Sequence, residues 1–413
     1  MARKILISFL GTGSLEKKES RIYKKANYHL EDNDLGEHTF VAAALEKHYG
    51  IDSTFLIGTV HSMWEEVYRW HRENKSLPFD DDVYLEIAEG CEKANHLSDL
   101  SIPHKEAVEE SLGNESKVVL IKYGITEDEV RENINIILGL ERFLKSGDEL
   151  IIDVTHSFRS HPLFMMNLLF YLQNVSKKKI NISHIHYGMF EMSKELTFVP
   201  VLELKSIMEI NNWITGAYSF SQFGNAYMIS NLVEQENKSV STILGDFSNM
   251  MNLNHLYAIR SAAQKLTGIK NTNYGTSLPS MIINPIVDDF ISEFQPNKKI
   301  KDSLFQLKVA RWQLDHRKYA QAFLTLSESI VSLVCEENKL DTGVFKNRED
   351  AKAALGYQNA DNSLKCDKQL KDHYKKIRKL RNATAHAIET KDNPNKMIST
   401  LKKVTKELEE MIK

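Results

Sequence analysis

The sequence predicts an α/β, Rossmann-like parallel-sheet domain at its N-terminal end and an all-α helical domain at its C-terminal end. Three observations carry this. Short apolar runs at 4–9, 53–57, 118–123 and 150–154 alternate with stretches of helical periodicity, the pattern of a parallel sheet wound with helices. Each run stops at glycine or hydroxyl residues: Gly11 to Ser14, Gly58 to Ser62, Gly124, and Thr155 to Arg159. Beyond Glu203 the strand pattern ends, and helical periodicities fill the rest of the chain.

Taken in order, KILISF (4–9) reads as a first strand that turns at Gly11-Thr12-Gly13-Ser14. Glycines there let backbone N–H groups approach an anion, and Thr12 and Ser14 add hydroxyls. The loop is neither GxGxxG nor a P-loop with its lysine, so a nicotinamide or ATP site is not indicated. A helix at 39–48 and a strand at 53–57 follow, then a polar loop and a helix whose Trp64 and Trp70 are expected in the core. The acidic stretch 74–116 reads as a surface insertion. The strand at 118–123 resumes the sheet, and Thr126 with Glu129 forms a capping box for a helix reaching about Lys145.

The stretch Asp153-Val154-Thr155-His156-Ser157-Phe158-Arg159-Ser160-His161-Pro162 joins an apolar strand to an apolar helix. Pro162 is tolerated in a first helical turn. Polar residues between a strand end and a helix start are where open α/β sheets bind ligands, and N–H groups there favour phosphate. With right-handed crossovers the four loops meet on one sheet edge. Asp153 is either part of that site or a carboxylate that fixes the loop, and His161 is expected to pack. Runs at 182–187 and 196–202 read as a closing hairpin.

Residues 205–298 form a helical connector with periodicities at 207–219, 225–236 and 247–266, broken near 220–224, at 270–280 and at Pro285. A last domain, 299–413, carries helices at about 303–317, 319–335, 374–388 and 395–412.

That domain contains Arg381-Asn382-Ala383-Thr384-Ala385-His386. Arginine offers a permanent charge and planar donors to a phosphate, and histidine suits proton transfer near neutrality. Residues 365–381 carry eight Lys or Arg against Asp367 and Asp372, a local excess of +6 in a chain whose net charge is −3. Such a patch fits a phosphodiester substrate or a solvated basic helix. The same spacing recurs at Arg311 and His316 without the asparagine.

The bulk composition is that of a folded chain of two or three domains, 42% hydrophobic and 26% charged. The three cysteines, Cys91, Cys335 and Cys366, make no CxxC or zinc spacing, so no metal site is expected from them. The apolar runs are too short to span a bilayer and no signal peptide is evident, so the expected location is cytoplasmic.

Together, the GTG after the first strand, the Gly58, Thr59, Ser62 and Trp64 stretch, DVTHSFRSHP, and Arg-Asn-x-x-x-His resemble the CRISPR-associated ribonucleases of type III systems that join a CARF sensor to a HEPN nuclease. The resemblance covers about 3–203 and 300–413. It implies a CARF-like sensor over 1–204, a HEPN domain over 299–413, and a homodimer or higher homo-oligomer. The activator would be a cyclic oligoadenylate, usually cyclic tetra-adenylate, with no cofactor. The substrate would be single-stranded RNA, cut without metal to a 2′,3′-cyclic phosphate. Carried over by position, Arg381, Asn382 and His386 would be catalytic, and Gly11, Thr12, Gly13, Thr155, His156, Ser157 and Arg159 would bind the ligand. Two other readings remain: a nucleotide-sensing DNA-binding regulator, and a ring nuclease using Thr12, His156 and Ser157.

Overall fold

A computed structural model describes residues 2–17, 22–113, 115–156, 158, 160–270, 272, 277–297, 299–357, 364–386 and 392–412. Ser157 and Arg159 of the predicted ligand set lie outside them. The chain divides into two compact units, Met1–Met208 and Glu209–Lys413.

The first unit contains β1 (Lys4–Leu10), β2 (Leu15–Lys17), β3 (Ile22–Tyr23), β4 (Ala26–Leu30), β5 (Asn33–His38), α1 (Val41–Tyr49), β6 (Ser53–Gly58) and α2 (Trp64–Asn74). It continues with α3 (Asp81–Lys93), α4 (Lys105–Leu112), β7 (Lys117–Leu120), α5 (Glu127–Leu138), β8 (Glu149–Asp153), α6 (His161–Asn174), β9 (Asn181–Gly188) and β10 (Val199–Glu203). One sheet runs β5-β4-β10-β9-β8-β1-β6-β7. From β9 to β7 its strands are parallel, and β10 returns antiparallel to β9. The central strands β1, β6 and β8 are mostly apolar because both sheet faces are covered. Thus β1 sends Ile5, Ile7 and Phe9 to the core under α5 and α6, and Leu6 and Leu10 to the core under α1 and α2.

Thr126 caps α5 as its sequence predicts, accepting from the Glu129 amide at 3.2 Å. Glu129 reaches back past the cap, to the Gly124 and Ile125 amides at 3.0 Å each.

One expectation for this unit needs correction. The stretch 74–116 is not a surface insertion: α3 and α4 bury Ile87, Cys91, Val108 and Leu112 in the α1/α2 core. Its apolar positions recur at helical spacing beneath an acidic face, and Asp80 caps α3 by accepting from the Asp82 and Val83 amides. The described residues among 15–38, which show little strand pattern, form β2 and β3, paired antiparallel, and β4 and β5 at one end of the sheet, with β5 its edge strand. They are short and half-exposed, so they lack the apolar runs of the centre.

The second unit is helical: α7 (Ser206–Phe223, beginning in the first unit), α8 (Tyr227–Val233), α9 (Lys238–Leu253), α10 (Leu256–Ile269), α11 (Ser277–Phe294), α12 (Asp302–Asp315), α13 (Tyr319–Glu337), α14 (Phe345–Ala354), α15 (Lys368–Ala385) and α16 (Pro394–Met411). The periodicity at 247–266 is two helices, because Asn254 ends α9 in a left-handed cap with φ 55°. Pro285 lies inside α11, where burial of Ile283, Val287 and Phe290 offsets the lost hydrogen bond. The third helix of the last domain starts at Lys368, six residues before the expected Tyr374, and α14 is additional.

This unit has two apolar clusters, and α12 serves both. Phe305, Val309 and Trp312 face one; Leu307, Ala310 and Leu314 face the other. A helix apolar on two sides is a buried helix. Among the described residues no helix is long and apolar enough to cross a membrane.

Candidate functional site

The C-terminal ends of β1, β6, β8 and β9 open into one cleft of about 400 Å³. Gly11, Thr12, Gly13, Thr155 and His156 of the predicted ligand set all line it, with Gly58, Thr59 and Ser62 beside them. The loop at Gly124 does not, since β7 is the sheet's edge strand. Sequence reasoning missed Lys24, Tyr28, Tyr187, Gly188 and Glu191 in this lining. Gly188 carried the same signal as the other loops, a glycine closing an apolar strand, but the hairpin reading absorbed it. Lys24 and Tyr28 come from the edge segment that shows no strand pattern.

The loops are held by one another. The Ser62 hydroxyl donates to the Leu10 carbonyl at 2.7 Å, and the Met63 amide donates to the Gly11 carbonyl at 3.0 Å. Gly13 has φ +65°, and a Cβ there would meet Met63 Sδ and the Tyr23 ring at 2.6 Å, so this position is glycine for packing reasons. At Gly58 a Cβ would lie 2.8 Å from both Ser62 Oγ and the Trp64 ring.

Asp153 resolves to the loop-fixing alternative. It is fully buried; one oxygen accepts from the Ser8 hydroxyl at 2.5 Å, the other from the Thr155 amide at 3.0 Å and the Thr155 hydroxyl at 2.5 Å. Thr155 Oγ1 then accepts from the Gly188 amide at 2.7 Å. The Thr155 hydroxyl therefore ties β8 to β9 across the cleft floor.

His156 packs its Cβ over Gly11, and its Nε2 is enclosed without a hydrogen bond. Burial pushes its pKa below the ordinary histidine value against the pull of the Asp153 carboxylate, so the ring is neutral at neutral pH. An enclosed, unpaired nitrogen at a cleft wall is available to a ligand group. His161 packs, as expected: it stacks on Phe9 at 5.6 Å and meets Phe158 edge-on at 5.3 Å, and burial lowers its pKa to about 4.

In the second unit, α15 buries Leu370, Tyr374, Ile377 and Leu380 and turns its basic residues outward. Asp367 caps its start. Arg381 and Asn382 lie in the last turns, and His386 follows as the C-cap, its amide donating to the Asn382 carbonyl at 2.9 Å. Arg381 is half-buried with Nε enclosed and unbonded, while His386 is exposed. Because the chain still follows the helical turn at His386, the two side chains leave the axis about 140° apart. One copy alone does not close a pocket around both.

The neighbouring cations are engaged. Arg378 lies over the Tyr357 ring at 4.1 Å, and Lys379 is 3.3 Å from Asp392. Among the described residues no carboxylate pairs with Arg381. At the competing pair, Arg311 bonds Asp315 at 2.8 Å with Glu409 at 3.5 Å, and His316 stacks on Trp312 at 4.2 Å.

Residues 5–191 match the CARF domain of the CRISPR system endoribonuclease Csx1, and residues 209–299 match the second domain of the CRISPR-associated protein MJ1674. MJ1674 of Methanocaldococcus jannaschii is 34% identical over 400 residues, which take in 93% of this chain and 62% of that protein. The chain thus spans under two thirds of that relative's length. Csm6 of Enterococcus italicus, solved with cyclic hexa-2′-fluoro-hexa-dAMP, is 12% identical with a TM-score of 0.40, over 100% of this chain and 94% of that one.

Proposed function

We propose that this chain, whose residues 5–191 match a CARF domain, is a cyclic-oligoadenylate-activated, metal-independent endoribonuclease of type III antiviral defence. The activator is cyclic tetra-adenylate, taken up by paired clefts across a homodimer. A ring with two-fold symmetry suits a two-fold axis. The observation that carries the reading is the convergence of Gly11 to Gly13 with Thr155 and His156 on one cleft at the strand ends.

Cleavage falls to the end of α15. The RNA 2′-hydroxyl attacks the adjacent phosphorus, the bond to the 5′ oxygen breaks, and a 2′,3′-cyclic phosphate and a 5′-hydroxyl result. His386 moves the proton or positions the nucleophile, and Arg381 stabilises charge on the phosphoryl oxygens. Asn382 supports the pair. Two copies of the helix end facing one another supply the pocket that one lacks. Activation then needs only a ligand that binds the closed arrangement more tightly than the open one.

The test uses labelled single-stranded RNA in EDTA, with and without each cyclic oligoadenylate, beside Arg381→Ala and His386→Ala. Ligand-dependent cleavage lost by about a thousand-fold in both variants is expected. Cleavage retained in both overturns the assignment, and consumption of the ring without RNA cleavage supports the ring nuclease instead.

A further inference from the structure

A second cluster of titratable groups lies on the sheet face of the first unit, outside the cleft lining. His184 and His186 alternate on β9 and so share a face, with rings stacked at 5.5 Å and 10° apart. Glu203 of β10 sits opposite His186 in the antiparallel pair. One donor atom from each of the three falls within 4.8 Å of the others.

The parts are oriented as a ligand set requires. Glu203 Oε1 accepts from the Ile185 amide at 3.0 Å and the Lys205 amide at 2.9 Å, which leaves Oε2 pointing to His184 Nδ1 at 2.7 Å. Burial opposes ionisation of Glu203, but these amides and the histidines outweigh it and hold its pKa below the usual carboxylate range. His186 is fully buried, and its Nε2 is fixed by the Tyr49 hydroxyl at 2.8 Å. Its Nδ1 is enclosed without a well-formed hydrogen bond, although the ring lies near the Leu202 carbonyl. A His184–Glu203 ion pair alone explains neither the enclosed Nδ1 nor the phenol that orients the ring away from it.

We propose that His184, His186 and Glu203 bind one divalent transition-metal ion of the zinc class, with Tyr49 as the outer hydrogen bond that aims His186. Two imidazoles and a carboxylate suit such an ion. Tetrahedral bonds of about 2.0–2.1 Å place ligand atoms about 3.4 Å apart, close to the present cluster, whose ligand atoms lie within 4.8 Å of one another. The ion displaces the proton shared by His184 and Glu203, and its fourth position faces solvent, where those side chains are 37% and 32% exposed. Binding braces β9, whose last residue Gly188 bonds Thr155 at the cleft.

The experiment strips the full chain with EDTA, then titrates Zn²⁺ by calorimetry and Co²⁺ by its visible absorption. One ion per chain is expected. His184→Gln and Glu203→Gln, checked for folding by circular dichroism, weaken binding at least about ten-fold, as does Tyr49→Phe more mildly. Cys366→Ser, at a half-buried site elsewhere, and His104→Gln, at an exposed one, leave it unchanged. Binding well below one ion per chain, or equal affinity in the wild type and both glutamine variants, overturns the proposal.

Discussion

Thr155→Val separates a hydroxyl that shapes the cleft from one that is free for a ligand. The substitution keeps the branched shape and removes Oγ1, which donates to Asp153 and accepts from the Gly188 amide. Loss of a hydrogen bond to a charged group costs about 1.5–3 kcal/mol, and leaving an enclosed amide unsatisfied costs about 1–3 kcal/mol. Asp153 keeps the Ser8 hydroxyl and the Thr155 amide, so no unpaired charge is stranded and the lower half of the sum applies. A loss of about 3 kcal/mol in local stability corresponds to roughly a hundred-fold faster opening of the β8–β9 join. Hydrogen exchange of the unliganded full chain reads this at the Gly188 amide. Thr155→Ser, which retains the oxygen, stays within about three-fold of wild type. Exchange in Thr155→Val within that same three-fold refutes the reasoning that this hydroxyl is part of the framework.

Gly13→Ala forces a left-handed φ and a 2.6 Å contact, so a destabilisation of about 2 kcal/mol is expected in the denaturant midpoint, with loss of ligand binding. Arg381→Lys keeps the charge but loses the planar donors, and cleavage is expected to fall by at least about ten-fold with RNA affinity little changed. His161 has its folded pKa depressed to about 4 from 6.5, so it stabilises the fold fully above pH 6.5 and loses that contribution as pH falls toward 4, up to about 3 kcal/mol. His161→Phe should therefore flatten the fall in unfolding midpoint between pH 7.5 and 4.5. RNA binding through a few phosphates at the basic helix predicts a slope of log K against log salt of about −2 to −4.

The sheet centre was legible because both its faces are buried, which forces near-continuous apolar runs within strands such as ELIID and KILISFL. The strand ends were legible for a related reason: close backbone approach demands glycine at Gly13 and Gly58, and those glycines punctuate the runs. What escaped was amphipathic or marginal. The α3 helix carries its core residues Ile87 and Cys91 among acids, so composition masks periodicity. The β4 and β5 strands mix polar and apolar residues because they lie at one end of the sheet, with β5 its edge, yet β4 sets Tyr28 against the cleft. The Asp153 network was half legible. The carboxylate at a strand end is visible in sequence, but Ser8, 145 residues away, and Gly188 are brought to it only by strand order.

Equal spacing does not make equal chemistry at the two Arg…His pairs. Arg311 already spends its guanidinium on Asp315 and Glu409, and gripping a phosphate there would bring an anion beside two carboxylates. His316 is committed as well, its Nδ1 bonded to the Trp312 carbonyl at 2.8 Å and its face covered by the indole. At the end of α15 the balance is reversed. Tyr357 and Asp392 occupy Arg378 and Lys379, while Arg381 keeps an unbonded Nε and His386 stands exposed one turn on. A guanidinium without a carboxylate in a basic segment is costly for the isolated fold, because nothing in the described residues offsets its charge. It becomes favourable when a phosphate arrives. That cost is what selects the second pair over the first, and neutralising it internally, with Asn382→Asp beside Arg381, should suppress cleavage while leaving the helix and its cap intact.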